Sequence, residues 1–129
     1  MLYEVQSFLD DLSLLGARRI ALFSLGPVGC VPARAMLRGA PQHTCFEPMN
    51  MMTKIYNHGL YKLVGSKNRR YPGAVLTFGE VFNIHVHHIR LHPEKYGFFD
   101  VNEACCGSGL LRGEVQCVKG LIYQIYDFL

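Results

Sequence analysis

Apolar and polar positions along the chain fall into periodic blocks separated by glycine and proline. Leu2, Val5, Leu9, Leu12 and Leu15 recur at three- and four-residue steps with Glu4, Gln6, Asp10 and Asp11 between them, which predicts an amphipathic helix stopped by Gly16. The run Ile20 to Leu25 is almost continuously apolar and lies between Gly16 and Gly26-Pro27, the pattern of a short strand buried on both faces. Gly26-Pro27-Val28-Gly29 then makes a tight turn at the carboxyl end of that strand, the end where open α/β sheets bind ligands. Ala33 to Thr44 contains Gly39, Ala40 and Pro41 without a sustained period and reads as a loop or frayed helix.

A second helix is expected from Phe46 to Gly65. Met49, Met52, Ile55, Tyr56, Leu60 and Leu63 fall there at helical spacing, although Gly59 weakens the pattern. Met51 and Met52 read as gap-filling core. A polar link, Ser66 to Arg70, leads through Tyr71-Pro72-Gly73 to a second strand, Ala74 to Phe78. Glu80 to Leu91 reads as a helix ended by Pro93, His92 to Phe99 as a turn-rich connector, and Asp100 to Leu129 as irregular loops pinned by cysteines. Helix, strand, helix, strand, helix is the order of an α/β fold with parallel strands and crossover helices. Two doubly buried strands need sheet neighbours and helices on each side. Residues 1–129 therefore read as a single incomplete domain, whose bare strand edge would be covered by missing strands or by a partner chain.

Length and composition fit that picture: 129 residues, half of them hydrophobic and 18% charged, make about one globular domain. The net charge of +3 comes from scattered basic residues, of which Lys67-Asn68-Arg69-Arg70 is the only dense group. That group reads as a solvated loop and is too small for a nucleic-acid footprint. No apolar run approaches the roughly 20 residues of a membrane-spanning helix. Met1 to Leu15 carries Glu4, Asp10 and Asp11 through what would be the apolar region of a signal peptide, so none is expected in this chain.

Five cysteines, Cys30, Cys45, Cys105, Cys106 and Cys117, suggest a disulfide set from an oxidising compartment with one thiol left over. Proximity suggests Cys30 with Cys45, and Cys105 or Cys106 with Cys117, while connectivity stays open. Zinc is disfavoured, because no C-x-x-C spacing occurs and vicinal Cys105-Cys106 is awkward for a tetrahedral site. His85, His88 and His92 fall at i, i+3 and i+7 of the expected helix, with His87 to the side. One face would present three imidazoles, as a zinc or copper site does. No carboxylate shares that spacing, so a polar surface without metal is the expectation. Ser24, inside the apolar strand, and Ser108, in a glycine loop, read as structural hydroxyls.

Several segments resemble a known family. Gly16-Ala17-Arg18-Arg19 with the following strand and Gly26-Pro27-Val28-Gly29-Cys30-Val31-Pro32 is similar to a signature block of the plant GDSL esterase/lipase family, within the SGNH hydrolases. Cys45, Asn50, Tyr56-Asn57 and Leu60 resemble the helix after that block. Tyr71-Pro72-Gly73-Ala74, Val81-Phe82-Asn83-Ile84, Pro93-Glu94-Lys95-Tyr96-Gly97-Phe98 and Ala104-Cys105-Cys106-Gly107-Ser108-Gly109 resemble later segments in the family's order. The resemblance implies a flavodoxin-like three-layer α/β/α sandwich, hydrolysis of carboxylic esters of acyl lipids or small molecules, secretion, and no cofactor.

It also implies a serine nucleophile in Gly-Asp-Ser, oxyanion donors from a Gly and a Gly-x-Asn-Asp motif, and a base in Asp-x-x-His-Pro. None of these motifs occurs here. Cys117, Tyr123, Ile125, Tyr126 and Asp127 resemble the family's approach to that base, which implies Asp127 as the triad aspartate with the chain ending just before the His; read for this chain alone, Asp127 is a solvent-exposed C-terminal residue. Acyl transfer by serine needs nucleophile, base, orienting acid and oxyanion donors together. The expectation is a truncated, C-terminal portion of a GDSL-type esterase that is inactive alone. The alternative is a degenerate, non-catalytic interaction module.

Overall fold

The computed structural model describes residues 1–83, 88–115 and 117. Its regular elements are α1 (Leu2–Leu14), β1 (Arg19–Phe23), α2 (Glu47–Arg70), β2 (Val75–Gly79) and the single turn α3 (His88–Leu91), with short 3-10 turns between them. The chain forms two units, one of Met1–Gly26 with Met51–His87 and one of Pro27–Asn50 with His88–Leu129.

In the first unit β1 and β2 pair in parallel, with Arg19 opposite Val75 and Phe23 opposite Gly79. Parallel strands require a crossover, and α2 lies within it. The α/β class with parallel strands is thus what the chain adopts. Leu9 of α1, Val64 of α2 and Leu76 of β2 form the buried centre, with Ile20, Leu22, Leu63 and Phe78 packed around it. Both helices therefore pack on the sheet face that carries Ile20 and Leu22.

Helix α1 ends as the sequence predicts. The Gly16 N–H reaches the Ser13 carbonyl at 3.1 Å and the Ala17 N–H the Leu12 carbonyl at 2.9 Å, with Gly16 at φ +95°. This is a Schellman cap, whose left-handed residue favours glycine. Gly59, which weakens the helical pattern of α2, sits where the Leu2 side chain occupies the space a Cβ would need. Tyr71-Pro72-Gly73-Ala74 closes with the Ala74 N–H on the Tyr71 carbonyl at 3.1 Å and Gly73 at φ +75°, the form that Pro followed by Gly prefers.

Three expectations are corrected. Strand β1 is not buried on both faces: Arg19, Ala21 and Phe23 are exposed and only Ile20 and Leu22 turn inward, because α1 and α2 cover one face of the sheet. Ser66 to Arg70 is not a link but the last turns of α2, and Lys67 is buried instead of solvated. It lies one helical step beyond Leu60 and Val64, and its ammonium meets the Asp10 carboxylate at 2.6 Å. Met51 and Met52 are about 60% exposed, because the buried stripe of α2 runs through Asn50, Thr53, Asn57, Leu60, Val64 and Lys67. Of the helix expected over Glu80 to Leu91, residues 82–83 and His88–Leu91 are helical, and residues 84–87 lie outside the described residues. Glu80 precedes the π-helical turn at Phe82 and Asn83 and accepts the Phe82 N–H at 2.8 Å and the Asn83 N–H at 3.1 Å.

The second unit is irregular. The Cys30–Cys45 disulfide closes its first part, and the 3-10 turns Pro32–Met36, Pro93–Tyr96 and Leu110–Arg112 follow along the chain. Gly113 passes so close to the Pro32 carbonyl that a side chain would collide with it.

Candidate functional site

Parallel pairing brings the carboxyl ends of β1 and β2 to one edge, where α/β sheets place ligand sites. Ser24 continues β1 there and gives its N–H to the Gly79 carbonyl at 2.9 Å. Its side chain is buried, and its Oγ accepts the Val81 N–H at 2.8 Å. That hydroxyl fixes the chain leaving β2, in agreement with a structural role. Beyond it, Asn57 clamps Leu25: its Oδ1 accepts the Leu25 N–H and its Nδ2 donates to the Leu25 carbonyl, both at 2.8 Å. A primary amide matches the donor and acceptor of one residue's backbone in this way. The polar groups at this edge are thus committed to holding backbone.

The second unit contains a comparable arrangement around Gly29 and Cys30. Asn50 Oδ1 accepts the Gly29 N–H at 2.8 Å, while its Nδ2 donates to Glu47 Oε1 at 3.1 Å. Arg34, 1% exposed, spreads its guanidinium over four carbonyls: Cys30 at 2.8 Å, Val31 and Gln42 at 3.1 Å, and Pro41 at 3.3 Å. Arg90 also reaches the Cys30 carbonyl, at 3.5 Å, and bonds the Val101 carbonyl and Asn102 Oδ1. Burial lowers the pKa of both arginines, and for Arg90 the nearby Arg34 charge lowers it further. Guanidinium stays protonated under such pressure, so these are anchors and not proton donors in catalysis.

Among the predicted site residues, the structure joins Cys30 to Cys45 and Cys106 to Cys117, leaving Cys105 exposed as a free thiol. Ser108 pairs through its backbone with Val115. His88 and His92 stack edge to face at 5.3 Å, and among the described residues no group of three or more His, Cys, Asp or Glu could hold a metal ion. Asp127, Tyr123, Ile125, Tyr126, His85 and His87 lie outside the described residues. Cys105 lines a cavity of about 420 Å³ in the second unit, with Phe98, Phe99 and the Glu103–Arg112 ion pair.

Asn50, Asn57, Arg34 and Arg90 were invisible to a reading based on apolar periodicity. A usable signal existed for the asparagines: Asn50, Thr53 and Asn57 are in phase with Leu60 and Val64, so the buried stripe begins with polar residues.

The crossover connection and parallel strands define an α/β chain. It belongs to the GDSL-like lipase/acylhydrolase family, whose model matches residues 1–127. It is 53% identical over 117 residues to GDSL esterase/lipase 6 of Arabidopsis thaliana, covering 91% of this chain and 32% of that protein. GDSL esterase/lipase EXL2 of the same plant is 36% identical over 114 residues, covering 88% and 30%. GDSL esterase/lipase 7 is 34% identical over 105 residues, covering 81% and 29%. The chain thus spans about a third of the length of the curated relatives it matches. No solved structure matches. No helix among the described residues is long and apolar enough to cross a membrane.

Proposed function

We propose that these 129 residues form the scaffold-bearing part of a single GDSL-type serine hydrolase domain that cleaves carboxylic esters of acyl lipids or small molecules without a cofactor. The observation that carries this reading is the family match over residues 1–127 in a sequence without Gly-Asp-Ser, Gly-x-Asn-Asp or Asp-x-x-His. Asp127 takes the role of triad aspartate, and the clamped ends of β1 and β2 hold the sheet edge beside which the reaction occurs. The 129 residues alone are inactive, since a carboxylate without nucleophile, base or oxyanion donors performs no acyl transfer. Two disulfides in one small chain support an oxidising, secretory destination. Among the described residues the sheet has two strands, and its edges support pairing with further strands, in the same polypeptide or a partner.

The test is hydrolysis of a p-nitrophenyl ester by the oxidised 129-residue chain, beside its Asp127→Ala variant. The expected result is no turnover above buffer for either. Turnover by the chain that Asp127→Ala abolishes would refute the inactivity. Sequencing the transcript on both sides tests family chemistry separately: flanking Gly-Asp-Ser and His-Pro codons support a hydrolase, and their absence supports an interaction module.

A further inference from the structure

Three cysteines of the second unit sit in a short stretch of chain, Cys106 bridged to Cys117 and Cys105 exposed with a free thiol. Neighbouring residues joined by a trans peptide have Cα atoms about 3.8 Å apart, and the Cα atoms of Cys106 and Cys117 are 5.6 Å apart. Cys105 Cα therefore lies within about 9.4 Å of Cys117 Cα. A disulfide spans roughly 4.4–6.8 Å between Cα atoms, so modest loop movement gives Cys105 access to Cys117. Chain entropy does not choose between the two partners. The loop to Cys106 covers a sequence separation of 11 and the loop to Cys105 one residue more, a negligible difference on a logarithmic scale.

Backbone contacts make the choice instead. The Ala104 N–H bonds the Leu111 carbonyl at 3.0 Å, and Ser108 and Val115 exchange two bonds of 3.1 and 3.2 Å. Gly107, at φ +107°, lies where the Arg112 and Val115 carbonyls leave no room for a Cβ. These contacts hold the vicinal pair from both sides, with Cys105 in the wall of the cavity beside Phe98 and Phe99. The same turn holds Leu111 at φ 53° and Arg112 at φ 49°, left-handed conformations that cost non-glycine residues free energy.

We propose that Cys105, Cys106 and Cys117 form an exchange switch. The Cys105 thiolate attacks the Cys117 sulfur, the Cys105–Cys117 bond forms, the Cys106–Cys117 bond breaks, and Cys106 leaves as a thiolate that takes up the proton lost by Cys105. One thiol and one disulfide stand on each side of the step, so no oxidant or reductant is consumed. The exchange withdraws Cys105 from the cavity wall and frees Cys106, which couples the shape of the cavity to the position of the bridge.

The test uses the oxidised chain without added reductant, held between pH 6 and pH 8.5, quenched in acid, alkylated with N-ethylmaleimide and mapped by tandem mass spectrometry. The label is expected to move from Cys105 alone to Cys105 and Cys106 together, faster at higher pH because only the thiolate attacks, with the Cys30–Cys45 bridge intact. Cys105→Ser is expected to lose all label on Cys106. Label confined to Cys105 throughout overturns the proposal. So does label on Cys106 in Cys105→Ser, and so does label spreading to Cys30 and Cys45, which marks general unfolding. The pH series on the unsubstituted chain decides the matter even where the serine variant does not fold.

Discussion

Replacing Asn57 tests whether the end of β1 is held by side-chain amide chemistry. Asn57 is 9% exposed, and its two 2.8 Å bonds satisfy both backbone groups of Leu25. Asn57→Ala removes both bonds at once. Each contributes about 1 kcal/mol net, and the freed backbone groups add a desolvation cost. Leu25 is 40% exposed, so water partly replaces the amide, and the expected loss is about 2–3 kcal/mol. With a urea slope of about 2 kcal/mol/M, the unfolding midpoint falls by roughly 1–1.5 M. Asn57→Leu separates the hydrogen bonds from the packing, since leucine fills a similar volume without donor or acceptor. It is expected to destabilise to within about 1 kcal/mol of the alanine variant. Urea unfolding followed by circular dichroism on the oxidised chain reads both values. A leucine variant as stable as the native chain would show that the amide only fills space and would refute the clamp.

Two further predictions concern the first unit. The hydrogen bond from Lys67, and then that from Tyr71, hold the Asp10 carboxyl below its ordinary 3.8, so this stabilisation is present above the unfolded value and is lost as pH falls through the folded one. For Lys67, burial pulls the pKa down, but bonds to Asp10 and Tyr71 outweigh it and the net direction is up. Its contribution is therefore present below 10.5 and lost as pH rises through the folded value. The melting temperature should drop below about pH 4 and do so less steeply in Asp10→Asn; identical acid limbs would sink the assignment. Leu9→Ala, at a site 1% exposed, should cost about 2–5 kcal/mol. Met52→Ala, at 62% exposure, should stay within about 0.5 kcal/mol; comparable losses in thermal melts would place the core elsewhere.

Much of the architecture was legible because it is local. The stripe through Leu2, Val5 and Leu9, the Gly16 stop and the Pro72-Gly73 turn are each dictated by neighbours within a few residues. The parallel pairing followed from the order of elements and the need for a crossover between them. The phase of α2 was not legible. Met52 and Ile55 are apolar and exposed, whereas Asn50 and Asn57 are polar and buried, and hydrophobicity ranks these residues in the wrong order. Burial of an amide is favourable only where a backbone donor and acceptor wait for it, and Leu25, 32 residues away, supplies both.

The sequence by itself determined the family, through ordered motifs from Gly16 to Gly109, and the absence from these 129 residues of the family's nucleophile and base motifs. It determined the α/β class and that one cysteine of five would be left over. Only the tertiary structure decided which face of β1 turns inward, that Lys67 is a buried partner of Asp10, and that Cys106 instead of Cys105 meets Cys117. The physical reason is common to all three. Each depends on which groups meet in three dimensions and satisfy one another's charge, hydrogen bonds or packing, and a periodic pattern carries no record of which groups those are.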